Sequence, residues 1–318
     1  MNLRRLIFLF MAFIFSAISA QASEKQTIIC STYPIFQITR NIVAGHSGIT
    51  VQLMIPAALG CPHDYALTPQ DMQKLAKADV MIVNGLGMEE YLGAPVEKAN
   101  PRIKVIDSSV GIKEILLYAE DDEHEDEHHD TGHGGNGHDH DHEHSGANPH
   151  LFASPRMVGL LALNIADELS QLDPAGAGTY LANAKVYAAK MNALADEFSA
   201  LGKRLKNNRI VTQHGVFDYL ARDMGLEVVA VVQEHGGQAP SAAEILTIVK
   251  TIRGKKAGAV FTEPQYPAKV GQTIAREAGI VTATLDPVAN GPENASLDYY
   301  ETVMLHNLQI LAKSLGSK

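Results

Sequence analysis

The sequence predicts an α/β protein of two similar lobes, each on a parallel sheet, joined by one long rigid helix with a cleft between them. Three observations carry this. Short apolar runs are continuous rather than alternating, and helical patterns separate them, which is how strands buried on both faces of a parallel sheet read. One stretch of unbroken helical periodicity stands between two such regions. The 318 residues are 46% hydrophobic, enough for two domains of ordinary size.

The elements follow in order. Arg4 and Arg5, the almost purely apolar stretch Leu6 to Ala20 and Ala20-Gln21-Ala22 read as a signal peptide over residues 1–22. The apolar run is shorter than the ~20 residues a membrane span needs. An exported, periplasmic protein without a membrane anchor is therefore expected. Residues 23–173 form the expected N-terminal lobe, with strands at Thr27–Cys30, Val51–Ile55, Val80–Val83 and Lys104–Ile106. Thr68-Pro69-Gln70-Asp71 opens a helix between the second and third, with a capping hydroxyl, Pro at the first position and an acid in the first turn. Ser154-Pro155 opens another helix to about Leu172, which Asp173-Pro174 ends. A linker helix is expected over 174–206. Its stripe is Tyr180, Ala184, Tyr187, Met191, Leu194, Phe198, Leu201 and Leu205. Ala and two Tyr make a poor zipper, so this helix predicts a packed spine in a monomer. Residues 207–318 form the second lobe, with strands at Ile210–Val211, Val228–Val232, Ala259–Phe261 and Ile280–Leu285 and a capping box at Ser241-x-x-Glu244.

Charge is unevenly placed. The formal net charge is −10, yet the stretch from Glu120 to His144 alone holds eleven acidic residues, eight of the 14 histidines and no Lys or Arg. Outside it, with Arg4 and Arg5 set aside, 24 basic residues face 25 acidic ones. No basic stripe suggests nucleic acid, and Trp is absent. The segment 120–146, with five glycines and no apolar periodicity, reads as a disordered insertion. Its histidines, His124, His128, His129, His133, His138, His140, His142 and His144, alternate with carboxylates and are expected to bind zinc weakly through few, exchangeable ligands. A solvated loop without function is the plainer reading.

Two cysteines in an oxidising compartment predict a bridge between Cys30 and Cys61, emerging at the same end of neighbouring parallel strands. Two buried thiols or a thiolate metal ligand are the alternatives.

Four residues fall in loops after strands or at helix entries, where such a fold places ligands: His63, His150, His214 and Asp286. Three imidazoles and a carboxylate suit zinc, whereas a mainly oxygen shell suits manganese or magnesium. Spacing leaves the set open, because no two are close in sequence and His46, His235 and His306 compete.

The motifs together resemble the periplasmic zinc-binding proteins of ABC transporters, the ZnuA type within the cluster-9 metal-binding family. They are His63-Asp64-Tyr65, Pro149-His150-Leu151 with Ser154-Pro155, His214-x-x-Phe217-x-Tyr219, Glu263-Pro264-Gln265 and Leu285-Asp286-Pro287, with the His-rich insertion at this place in the chain. The resemblance implies two Rossmann-like lobes, a rigid connecting helix and a buried metal between the lobes, held by His63, His150, His214 and Asp286, and its delivery to a membrane permease driven by a separate ATPase. It implies zinc, because manganese-type relatives carry a carboxylate at the position of His214. Pro62 stands where many zinc-specific members carry an acid, which makes Asp286 or a water the fourth ligand; Asn148 and Phe152 replace the usual Asp and Trp. A manganese or iron carrier on the same fold is the runner-up. A zinc hydrolase is the other class, disfavoured because no H-E-x-x-H helix is present and Glu263 is the only base to name.

Overall fold

The computed structural model describes residues 25–59, 65–118, 146–233 and 240–316. The expected signal peptide, His63, Cys61, His235 and almost all of the insertion lie outside them. The first sheet comprises β1 (Gln26–Cys30), β2 (Ile49–Leu53), β3 (Val80–Val83) and β4 (Lys104–Asp107), ordered β2-β1-β3-β4. The second comprises β5 (Arg209–Thr212), β6 (Glu227–Val231), β7 (Ala259–Thr262) and β8 (Val281–Thr284), ordered β6-β5-β7-β8. Every pairing is parallel, so the lobes share one topology. In both, the first strand of the lobe lies inside the sheet and its chain order reverses there, which opens a crevice at the carboxyl ends of the strands.

In the first lobe, α1 (Tyr33–Ile42), α2 (Pro69–Lys77) and α3 (Gly93–Ala99) connect the strands; α6 (Asp218–Met224), α7 (Ala242–Lys255) and α8 (Lys269–Ala278) do so in the second. Both sequence-predicted first turns are made. Thr68 and Asp71 form a reciprocal capping box on α2, as do Ser241 and Glu244 on α7. α4 (Pro155–Leu172), capped by Ser154, and the spine α5 (Ala177–Gly202) pack side by side, and α9 (Tyr299–Leu315) closes the chain against α5. The stripe from Tyr180 to Leu201 is buried throughout. It lies on α1 and α4 of one lobe and on α6 and α9 of the other, and a single apolar core runs through the spine from Ile29 to Met304. A second core behind β5 joins Val229, Ile252, Val260 and Ile274.

α5 stops four residues short of the expected 206. At Gly202 its backbone meets that of α6, and a Cβ there would overlap the Met224 carbonyl. No helix among the described residues is long and apolar enough to cross a membrane.

One expectation is corrected. The Cys30–Cys61 bridge is not formed, since Cys30 is a free, fully buried thiol. Cys30 is the last residue of β1, and burial pushes its thiol up to about 12.

Candidate metal centre

The described candidate ligands stand at the crevice side of the sheets. His214 follows β5, Asp286 follows β8, and His150 precedes a short 3-10 turn, Leu151–Ala153, that leads into α4. His150 and His214 come from different lobes and face each other, their ring centroids 5.2 Å apart and the planes at 80°. They are 1% and 4% exposed, so neither is a surface histidine.

Each ring is held by its Nδ1. His214 Nδ1 donates to Glu263 Oε1 at 2.5 Å, and Glu263, buried at the end of β7, is itself fixed by Gln265 Nε2 and by its own N–H on Gln213 Oε1. With Nδ1 so used, His214 Nε2 is buried without a hydrogen-bond partner among the described residues. Such an orphan nitrogen costs roughly 1–3 kcal/mol unless something else satisfies it. A cation does this, since a metal ligates the neutral nitrogen whose ring partner is engaged by a carboxylate or carbonyl. His150 Nδ1 lies 2.9 Å from Asn148 Oδ1 and 3.4 Å from the Tyr118 hydroxyl. Phe152 and Tyr266 stand edge-on to the two imidazoles and exclude water around them.

Two further carboxylates act on these residues, Asp286 on Glu263 and Asp218 on His214. Burial raises the Asp286 carboxyl, the negative field of Glu263 adds to this, and the hydrogen bond from the Val288 N–H opposes it. The Asn307 side chain grips the backbone of Asp286 on both sides. Burial also pushes Asp218, in the first turn of α6, up to about 6, against the pull of Asn148 and His214.

The structure thus brings His150, His214 and Glu263 together and sets Asp286 within electrostatic reach. His63 and the eight insertion histidines lie outside the described residues, as does His235. Among the described residues no group of three or more His, Cys, Asp or Glu could hold a metal by itself. His46 lies at the amino-terminal edge of the first sheet against Tyr180 and Asp173, and His306 is exposed on α9; neither joins the centre. Sequence reasoning named Glu263 in the Glu263-Pro264-Gln265 motif and as a base, but not as the partner of His214, and it passed over Asp218 and Tyr118. Glu263 and His214 are 49 positions apart, so no local spacing could pair them.

Two lobes of one topology, a shared spine helix and buried imidazoles contributed by both lobes at the carboxyl ends of the strands define a two-lobed solute-binding protein. The chain belongs to the family described as zinc-uptake complex component A, periplasmic, whose model matches residues 28–314. It is 29% identical to the high-affinity zinc uptake system protein ZnuA of Bacillus subtilis, over 92% of this chain and 88% of that one. It is 28% identical to the zinc-binding protein AdcA of Streptococcus pyogenes over 91% of its length, and spans about half, 56%, of that protein. Among solved structures it superposes on ZnuA with a TM-score of 0.73 and 27% identity, covering 92% of this chain and all of that one. FpvC of Pseudomonas aeruginosa in complex with Mn2+ gives 0.75 and 28%, covering 92% and 98%.

Proposed function

We propose that the chain captures one zinc ion between its lobes through His63, His150, His214 and Asp286 and delivers it to the membrane permease of an ABC transporter. On this reading it is exported by a cleaved leader, works as a monomer, and performs no chemistry on its cargo. The observation that carries the proposal is the Nε2 of His214, buried and without a partner among the described residues, on a ring that stands 5.2 Å from that of His150 while Glu263 occupies its Nδ1. Nitrogen donors from both lobes favour zinc over manganese, and the curated relatives named for zinc support it. A manganese carrier stays as the second reading because FpvC, equally similar in sequence, was solved with Mn2+.

The test is a chelator-buffered zinc titration, repeated with manganese as competitor. The parent chain binds one zinc tightly and prefers it to manganese, and His214→Ala loses the tight site. Deleting residues 121–145 leaves that site and removes weaker ones. Tight binding unchanged in His214→Ala, or manganese displacing zinc at equal concentration, overturns the reading. An unchanged stoichiometry after the deletion removes the insertion from it.

A further inference from the structure

One amide touches both ligand loops across the cleft. Asn148 Nδ2 donates to the Gly215 carbonyl, next to His214, and to Asp218 Oδ2, each at 2.9 Å. Its Oδ1 accepts from the His150 N–H at 3.0 Å and faces His150 Nδ1 at 2.9 Å. Tyr219, the residue after Asp218, donates its hydroxyl to the Asn148 carbonyl at 2.7 Å. Both amide hydrogens are spent on acceptors, so the amide cannot turn over, and only the form of His150 with a proton on Nδ1 fits against its oxygen. The row His150–Asn148–Asp218 therefore runs from one lobe to the other and ends on a carboxylate that, among the described residues, is hydrogen-bonded to Asn148 and not to His150 or His214. An acid in the first turn of a helix is ordinarily accounted for by the helix dipole. Here its Oδ2 is committed to a side chain of the opposite lobe.

We propose that Asp218 is a positioning residue for the metal: acting through Asn148, it holds His150 with its proton on Nδ1 and an electron-rich Nε2 turned to the ion. The proposal rests on the reading of His150 and His214 as ligands. It makes the two halves of the centre equivalent in charge though not in construction. His214 is backed by Glu263 directly, and His150 is backed by Asp218 through a polarised amide. Chains of hydrogen bonds polarise one another in a water-poor interior, so the carboxylate is felt across the intervening amide.

Three variants of the full chain separate this from a packing role. Asp218→Asn keeps size and an acceptor for Asn148 Nδ2 but removes the charge. It raises the zinc dissociation constant about tenfold, the low end of what partners of metal ligands contribute. In the zinc-free protein it also moves the 15N resonance of His150 Nδ1. The double variant N148D/D218N places the carboxylate directly on His150 with an amide behind it, and recovers the affinity towards the parent value. His150→Ala serves as the control. Loss of tight binding there, with parent-like affinity and an unmoved His150 resonance in Asp218→Asn, overturns the role of Asp218 alone. A double variant as weak as Asp218→Asn assigns Asp218 to packing and likewise overturns it. Tight binding retained in His150→Ala overturns the ligand reading beneath it.

Discussion

Glu263 holds the proton-bearing nitrogen of His214 in a site where neither group meets solvent. Replacing it with Ala frees the ring to exchange tautomers and leaves Nδ1 buried without an acceptor. Zinc affinity should fall roughly 10–100-fold in Glu263→Ala and less in Glu263→Gln, measured by chelator competition. A second carboxylate makes a prediction away from the metal. Glu89 accepts from Ser31 Oγ at 2.6 Å and from the N–H groups of Asn84 and Gly85. Burial still pushes it from 4.5 to about 7, with Asp107 adding to the effect. Between those values the native chain keeps a proton that the unfolded chain has released, so stability falls as pH rises from about 4.5 through about 7. Denaturant midpoints at either end of that window should differ in the parent and converge in Glu89→Gln. The residue scale was also the least legible. His150, His214 and Asp286 stood out as loop residues at strand ends, but Asn148 and Asp218, 70 positions apart, meet only once the lobes are assembled.

Elements were far easier to read. Apolar runs gave all eight described strands, displaced by at most two residues at either end; in the inner strands β1, β3, β5 and β7 burial on both faces leaves no polar alternation to confuse them. Capping residues located the starts of α2, α4 and α7 because the orphan N–H groups of a helix must find acceptors nearby. The end of α5 was missed, since its stripe continues to the buried Leu205 and only the approach of α6 stops it. Two glycine substitutions on neighbouring helices should therefore act in opposite directions. Gly202→Ala forces a Cβ into the Met224 backbone and should cost about 1–3 kcal/mol or more. Gly159→Ala, in mid-α4, meets Met191 Cβ at 3.5 Å, an ordinary contact, and should stabilise by about 0.5–1 kcal/mol through helix propensity. Thermal melting of the two variants checks both signs.

At the scale of the molecule, the order β2-β1-β3-β4 repeated as β6-β5-β7-β8 was not written in the apolar runs, which name strands but not neighbours. Nor was the fastening of the lobes at the mouth of the cleft. Tyr33, Arg40 and Asn41 of α1 donate to the carbonyls of Pro292, Ala295 and Leu297, in the stretch that follows Asp286, and the Gly291 N–H donates to the Ala57 carbonyl. On the other flank, Ser154 bonds Asp223 and Arg222 bonds the Glu114 carbonyl. Together with a core that passes unbroken through α5, these ties leave little room for one lobe to swing away from the other.

That restraint changes what release has to accomplish. α5, with 26 residues, is a lever about 39 Å long at 1.5 Å per residue. Metal–ligand bonds hold only within about 0.2 Å of their proper lengths. A tilt of about 2° on an arm of that length moves its far end by more than 1 Å, several times that tolerance. On the function proposed above, a docking partner that leans on either lobe thus has a mechanical advantage: it can unseat an ion shared between lobes with a movement too small to be seen as an opening.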